Sequence, residues 1–316
     1  MALKKQQFAE GEIAIFDEAC IYKRGEYWQF RMWLPKENKY ARKSLRTRSE
    51  ATAIEKGKAS LLRVRLHCWH VEGRTCLGTE KLMKKDRFLE SREEFANKLG
   101  VPDLYNYIDQ FSLYAGVHTI GNKLWTYDLF KTTIGIPGDI YEFGCWKGAN
   151  LMFLAKLNQL FESCSPKHIY GFDNFSGLPE ASPLDGSFAQ AQAGKYLGNE
   201  EQLKNVIELF ELEEKVSLIV GDALKTIPKF KSDRKEAICS LAYIDFDLYE
   251  PCAAALTFLE KTLSVGGLII FDEAGTKDWP GETIAMKEYL RNTNHNFEML
   301  SNPVSRQPTI ALRRIS

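Results

Sequence analysis

Between Gly138 and Gly148 a short apolar run, Ile140-Tyr141-Glu142-Phe143, breaks into two glycines four residues apart, Gly144 and Gly148. A helix-like segment, Ala149 to Leu160, follows at once. Strand, tight loop and helix in that order form the first unit of a βαβ fold. The loop reads Glu-x-Gly-x-x-x-Gly, not the Gly-x-Gly-x-x-Gly of a dinucleotide binder. A pyrophosphate needs a dense row of backbone N–H groups at a helix N-terminus, and this loop has fewer glycines to bring the backbone that close. Taken alone, two glycines after a strand are also an ordinary turn.

The stretches that follow repeat the pattern. A second strand, His168 to Phe172, ends in Asp173, where a doubly wound fold holds a ribose by its two hydroxyls. A third, Val216 to Val220, ends in Gly221-Asp222-Ala223, and an acid there can accept the N–H of an adenine amino group. The fourth, Leu241 to Ile244, runs into Asp245-Phe246-Asp247-Leu248-Tyr249-Glu250. After a helix, Ala253 to Leu263, and a turn, Ser264-Val265-Gly266-Gly267, the fifth strand Leu268 to Phe271 ends in Asp272-Glu273. In a parallel sheet these tips share one edge, which brings Asp245, Asp247, Asp272 and Glu273 together. Uncompensated, such a cluster repels itself; a divalent cation resolves this, and all-oxygen ligands favour Mg²⁺, Mn²⁺ or Ca²⁺ over zinc. The competing reading is a set of solvated loop acids. Ala181 to Asn199 reads as a loop able to act as a lid, and Glu200 to Leu212 as an amphipathic helix.

The N-terminal part differs in kind. Ala19–Arg24, Tyr27–Leu34 and Tyr40–Leu45 alternate as strands with turns between them, and Thr47-Arg48-Ser49-Glu50 reads as a capping box. The helix it opens, from about Ser49 to Leu66, carries Lys56, Lys58, Arg63 and Arg65. Residues 1–90 hold 20 Lys and Arg against 12 Asp and Glu, in a chain whose net charge is zero. A solvated basic face is the plain reading; contact of residues 19–66 with nucleic acid or another polyanion is the sharper one. His67-Cys68-Trp69-His70, with Cys76 nearby, fits no standard zinc spacing and reads as a helix end. Thr79 to Gly100 is a charged helical link. Asp103 to Thr133 is a helical lead-in, interrupted by a short loop, Val117 to Lys123, that places His118 as a candidate site residue.

At 316 residues two domains are expected, with boundaries at 1–75 (small basic module), 76–136 (helical link and lead-in) and 137–316 (catalytic domain). Seven scattered cysteines with no C-x-x-C pair, no apolar signal core and no run of membrane-spanning length point to a soluble protein of the reducing cytoplasm.

Two resemblances add to this. Ile21 to Arg31 and Ala41 to Thr47 look like the arm-type DNA-binding module of phage tyrosine recombinases, although the recombinase Arg, His and Tyr constellation is missing from the chain. Far more of the chain, roughly residues 110–290, resembles a class I S-adenosylmethionine (SAM)-dependent methyltransferase. The narrower likeness is to the macrocin and mycinamicin sugar O-methyltransferase (TylF-like) family. It rests on Pro137–Gly148, on Gly171-Phe172-Asp173-Asn174-Phe175-Ser176-Gly177-Leu178-Pro179, on Asp245–Glu250, and on Gly266-Gly267 with Asp272-Glu273. The resemblance implies a Rossmann-like α/β domain behind a small α+β module, and metal-assisted methylation of a hydroxyl on a sugar or sugar-bearing natural product. Carried over, Glu142, Gly144, Gly148, Asp173, Phe175, Asp222 and Ala223 hold SAM, while Asp245, Asp272 and Glu273 hold Mg²⁺ or Mn²⁺. Asp247 is the expected base, with His118 in reserve. The chain departs from the family in having Asp-Glu after strand five, where Asp-Asp is usual, and Lys277 to Leu290 offers no evident acceptor-specificity residues. A homo-oligomer is left open. The rivals are an NAD(P)-dependent oxidoreductase and a nucleic-acid-binding protein with an inactive methyltransferase-like domain.

Overall fold

The structure, a computed structural model, describes residues 12–15, 19–34, 39–54, 56 and 79–316. The chain divides into two units, 1–87 and 88–316.

In the first unit the strands are β1 (Glu12–Ile15), β2 (Ala19–Arg24), β3 (Tyr27–Leu34) and β4 (Lys39–Ser44). They pair in sequence order as an antiparallel meander. Three strands were expected; the fourth, β1, is only four residues long and lies at the edge, too short to show an alternating pattern. One face buries Ala19, Ile21, Trp28, Phe30, Met32 and Leu45, which pack with Ala53 of the helix that follows. Ser49 caps that helix, its Oγ accepting from the Thr52 N–H, so the cap falls two residues later than the Thr47 expected. Of the basic residues, Arg31 is paired with Glu12 at 2.8 Å, and Arg48 with Glu26 at 2.8 Å. Lys58, Arg63, Arg65 and the His67-Cys68-Trp69-His70/Cys76 group lie outside the described residues. Helix α1 (Thr79–Lys98) crosses the boundary between the units.

The second unit begins with short helices α2 (Leu104–Ile108) and α3 (Phe111–Tyr114), then α4 (Val117–Thr132). Val117 to Lys123, read as a loop, is the first part of α4. Gly121 is there for closeness and not for a turn: a Cβ would sit 2.7 Å from the Val304 carbonyl oxygen. Then come β5 (Asp139–Phe143), α5 (Ala149–Phe161), β6 (Ile169–Asp173), α6 (Gly186–Gln190), α7 (Glu200–Leu209) and β7 (Val216–Val220). The remainder is α8 (Ala223–Asp233), β8 (Cys239–Ile244), α9 (Tyr249–Thr262), β9 (Leu263–Phe271), α10 (Pro280–Asn292), β10 (Phe297–Ser301) and β11 (Ile310–Arg314). The expected turn at Ser264–Gly267 is part of β9, and α6 with a 3₁₀ turn at Pro183–Asp185 breaks up the expected loop of Ala181–Asn199.

These strands form one seven-stranded sheet ordered β10-β11-β9-β8-β5-β6-β7. The five from β5 to β9 run parallel, and β11 returns antiparallel beside β9. Parallel strands are covered on both faces, which is why β8 is fully buried and carries Ser240 as its one small polar residue among Cys239, Leu241, Ala242, Tyr243 and Ile244. Successive residues of β5 point to opposite faces: Tyr141 and Phe143 pack with Phe230 and Phe258, whereas Ile140 packs with Leu129, Leu151 and Leu154. The Asn199 side chain accepts from the Gln202 N–H at 2.9 Å and so caps α7. Asn199→Ala is expected to cost about 1 kcal/mol, read by denaturant unfolding.

Candidate active site

The chain begins the parallel sheet at β5 in the centre, builds outward through β6 and β7, then returns to the other side of β5 with β8 and β9. The carboxyl ends on either side of that reversal bound a crevice, the place where open α/β sheets bind ligands. A cavity of about 1030 Å³ opens there, roomy for a cofactor together with a second small molecule. Gly144, Asp173, Asp222, Ala223, Asp245, Asp247, Asp272 and Glu273 line it. Five strand tips expected from the sequence to share one edge therefore do so.

Gly144 takes φ 94°, and a side chain there would run into the carbonyl oxygen of Asp245, so only glycine lets the ends of β5 and β8 come this close. Asp173 ties the loop down. One carboxylate oxygen accepts from the N–H groups of Cys145 (2.8 Å) and Trp146 (2.7 Å), the other from Phe175 (2.7 Å). Trp146 and Phe175 have φ of 47° and 54°, a conformation L-residues seldom adopt, which these charge-assisted bonds help to hold. A carboxylate accepts up to about four bonds, so Asp173 keeps capacity for a ligand. Asp222 caps α8 by accepting from the Leu224 N–H at 3.0 Å. Gly148 and Phe175 shape the loops and do not line the cavity.

Glu142 is also absent from the cavity wall and lies 1% exposed beneath it, with Oε2 lacking any hydrogen-bond partner. Burial raises its carboxyl to about 8, against the opposing pull of Lys123 and Asn150. Burial likewise lowers Lys123, despite the attraction of Glu142, Asp272 and Asp245. For both groups desolvation outweighs mutual attraction. His118 is exposed on the first turn of α4 and does not line the cavity.

Around the β8 and β9 tips, burial raises the carboxyls of Asp245, Asp247, Asp272, Glu273 and, on α10, Glu282; for Asp245, Asp247, Glu273 and Glu282 neighbouring carboxylates add to it. Asp247 is pushed up to about 8 and sits at φ 62°. Asp272 accepts from the Tyr243 hydroxyl on one oxygen and from Gln307 Nε2 at 2.9 Å on the other; Gln307 Nε2 also donates to Glu273. Among the described residues, no three His, Cys, Asp or Glu side chains converge as a ready-made metal cage. The donor chemistry nonetheless suits a hard cation. The groups are oxygen-only, they repel one another, and buried Glu273 Oε2 has no partner.

Several wall residues carry no sequence signal that found them: Asp185, Phe188, Tyr196, Trp279, Arg306 and Gln307. Asp185 accepts from the Tyr249 N–H at 2.6 Å and from Ser182, fixing α6 beside the start of α9. Pro280 directly after Trp279 is the one local cue, a helix-start signal that brings an indole to the site.

A family model described as macrocin O-methyltransferase (TylF) matches residues 130–302. An 8-demethyl-8-(2,3-dimethoxy-alpha-L-rhamnosyl)-tetracenomycin-C 4'-O-methyltransferase from Streptomyces olivaceus is 27% identical over 146 residues, covering 44% of this chain and 54% of that protein. Mycinamicin III 3''-O-methyltransferase from Micromonospora griseorubida is 24% identical over 147 residues, covering 44% and 56%. The chain thus spans about half the length of the curated relatives it matches. Among solved structures, the calicheamicin methyltransferase CalS11 superposes with a TM-score of 0.59 at 27% identity, covering 72% of this chain and 91% of that one. The O-methyltransferase NovP, at 22% identity and a TM-score of 0.53, shares the fold.

Proposed function

Given that the chain belongs to the macrocin O-methyltransferase (TylF) family, we propose that it transfers the methyl group of SAM to a hydroxyl of a sugar or glycosylated natural product. The observation that carries this reading is the cavity at the sheet's reversal point, where a glycine loop, Asp173, Asp222 and the β8 and β9 acids meet. Relatives named for methylating rhamnosyl-tetracenomycin and mycinamicin support the acceptor class.

In this reading Gly144 lets the backbone approach SAM, with Gly148 and Phe175 shaping that loop. Asp173 accepts from the ribose hydroxyls, Asp222 with Ala223 meets the adenine, and Glu142 faces the ammonium end. The sulfonium methyl is already activated, so the protein's main task is to align acceptor oxygen, methyl carbon and sulfur. Asp247 takes the hydroxyl proton as the oxygen attacks. A Mg²⁺ or Mn²⁺ ion would be held by Asp245, Asp272 and Glu273, and its chemistry there would be to lower the pKa of a hydroxyl. Asp245→Ala or Asp272→Ala is expected to abolish metal-dependent turnover; full turnover in chelator would remove the ion from the reading.

The test is calorimetric titration with SAM and with NADH. SAM is expected to bind and NADH not to. Asp173→Ala is expected to weaken SAM by about 10- to 100-fold, the loss of one or two hydrogen bonds to a charged group. NADH binding without SAM binding would overturn the assignment.

A further inference from the structure

We propose that Gln307 is a two-way amide at the β9 tip: its NH₂ group bridges Asp272 and Glu273 when no cation is bound, and its carbonyl oxygen becomes a cation ligand when one is. The inference rests on the cation reading above. Carboxylates only accept, so the side of the amide facing Asp272 and Glu273 must be its NH₂, whose two hydrogens serve one acid each. This bridge occupies oxygens of Asp272 and Glu273 that a cation would need.

Gln307 is delivered by a built loop. Asn302 Oδ1 accepts from the N–H groups of Val304 (2.8 Å) and Ser305 (3.0 Å), and its Nδ2 donates to the Pro308 carbonyl at 2.7 Å. The Ser305 hydroxyl donates to the carbonyl of Gln307 itself at 2.6 Å, and the Thr309 N–H donates to Phe271 at 2.9 Å, directly before Asp272. With its backbone pinned on both sides, the side chain answers a change at the acids by turning its amide plane, at little cost to the loop. A turn of half a revolution replaces a donor with a neutral oxygen, a ligand type that hard cations accept from amides.

The experiment is Mn²⁺ titration of the full chain, read by loss of the free-ion paramagnetic resonance signal. Thermal melts, and the Gln307 side-chain NH₂ resonance with and without Mg²⁺, accompany it. Gln307→Leu supplies neither group; it removes the competing bridge together with the ligand, and is expected to melt lower than wild type without cation and to bind Mn²⁺ at least about tenfold more weakly than Gln307→Glu. Gln307→Glu keeps the oxygen, adds charge and loses the bridge. It is expected to tighten Mn²⁺ by at least about tenfold and to melt lower than wild type until Mn²⁺ restores it. In wild type, Mg²⁺ is expected to shift the NH₂ resonance. Both variants binding Mn²⁺ as wild type does, with the resonance unmoved, would overturn the role of Gln307 alone. Wild type that binds no Mn²⁺, or binds it equally well after Asp272→Asn, would overturn the cation reading and this role with it.

Discussion

Asp247→Asn is expected to lower turnover by about 10²- to 10⁴-fold, the range that a positioned proton acceptor contributes, while SAM affinity stays within about twofold. The substitution is nearly isosteric; it removes the carboxylate's charge and with it the capacity to take a proton. It is also the change the backbone tolerates best: Asp247 sits at φ 62°, and Asn is the non-glycine residue most at home there. Loss of activity through a refolded loop is thus separable from loss of the base. Asp247→Ala strains the same backbone and serves as the contrast, expected to melt lower as well as to turn over slowly. Single-turnover kinetics against a hydroxyl acceptor, with SAM titration alongside, checks both. Turnover within about tenfold of wild type would assign the proton to another group.

The parallel sheet is what makes this site legible in the sequence. Ile169–Phe172 and Leu241–Ile244 are continuous apolar runs because helices cover them on both faces, and each run stops abruptly at an acid. The tips Asp173, Asp222, Asp245 and Asp272 follow from that pattern. The antiparallel end did not show itself. Phe297–Ser301 and Ile310–Arg314 mix exposed and buried residues without a period, and Ser264–Gly267 reads as a turn because Gly266-Gly267 punctuates a strand. Gly121 misled in the same way, marking a close contact inside a helix. The missing strands also explain the missing residues. Gln307 and Arg306 sit on the loop between β10 and β11, so no local motif could bring them to acids more than thirty residues earlier. Trp279 and Tyr196 meet at 6.3 Å between ring centres only after the chain has folded around the cavity.

Glu142→Gln separates what that residue does for stability from what it does for the cofactor. Its carboxyl rises from the ordinary 4.5 to about 8, chiefly through burial. The native state therefore keeps a proton that the unfolded chain has already released, and stability falls as pH climbs from 4.5 through about 8. At about 1.36 kcal/mol per unit the penalty above that window is on the order of 5 kcal/mol. Glutamine is never ionised. It is expected to leave stability near wild type at pH 5 and to raise it by several kcal/mol at pH 9, read as the difference between the two proteins in denaturant unfolding. Parallel pH dependences of the two would show that Glu142 is not held neutral. The cofactor runs the other way. An ammonium group favours the ionised acid, so wild-type affinity for SAM is expected to rise with pH until about 8 and then level, because below that value binding must first expel the proton. In the glutamine protein SAM is expected to bind more weakly and without that rise. Unchanged affinity and slope would leave Glu142 a buried acid of the sheet with no part in holding SAM.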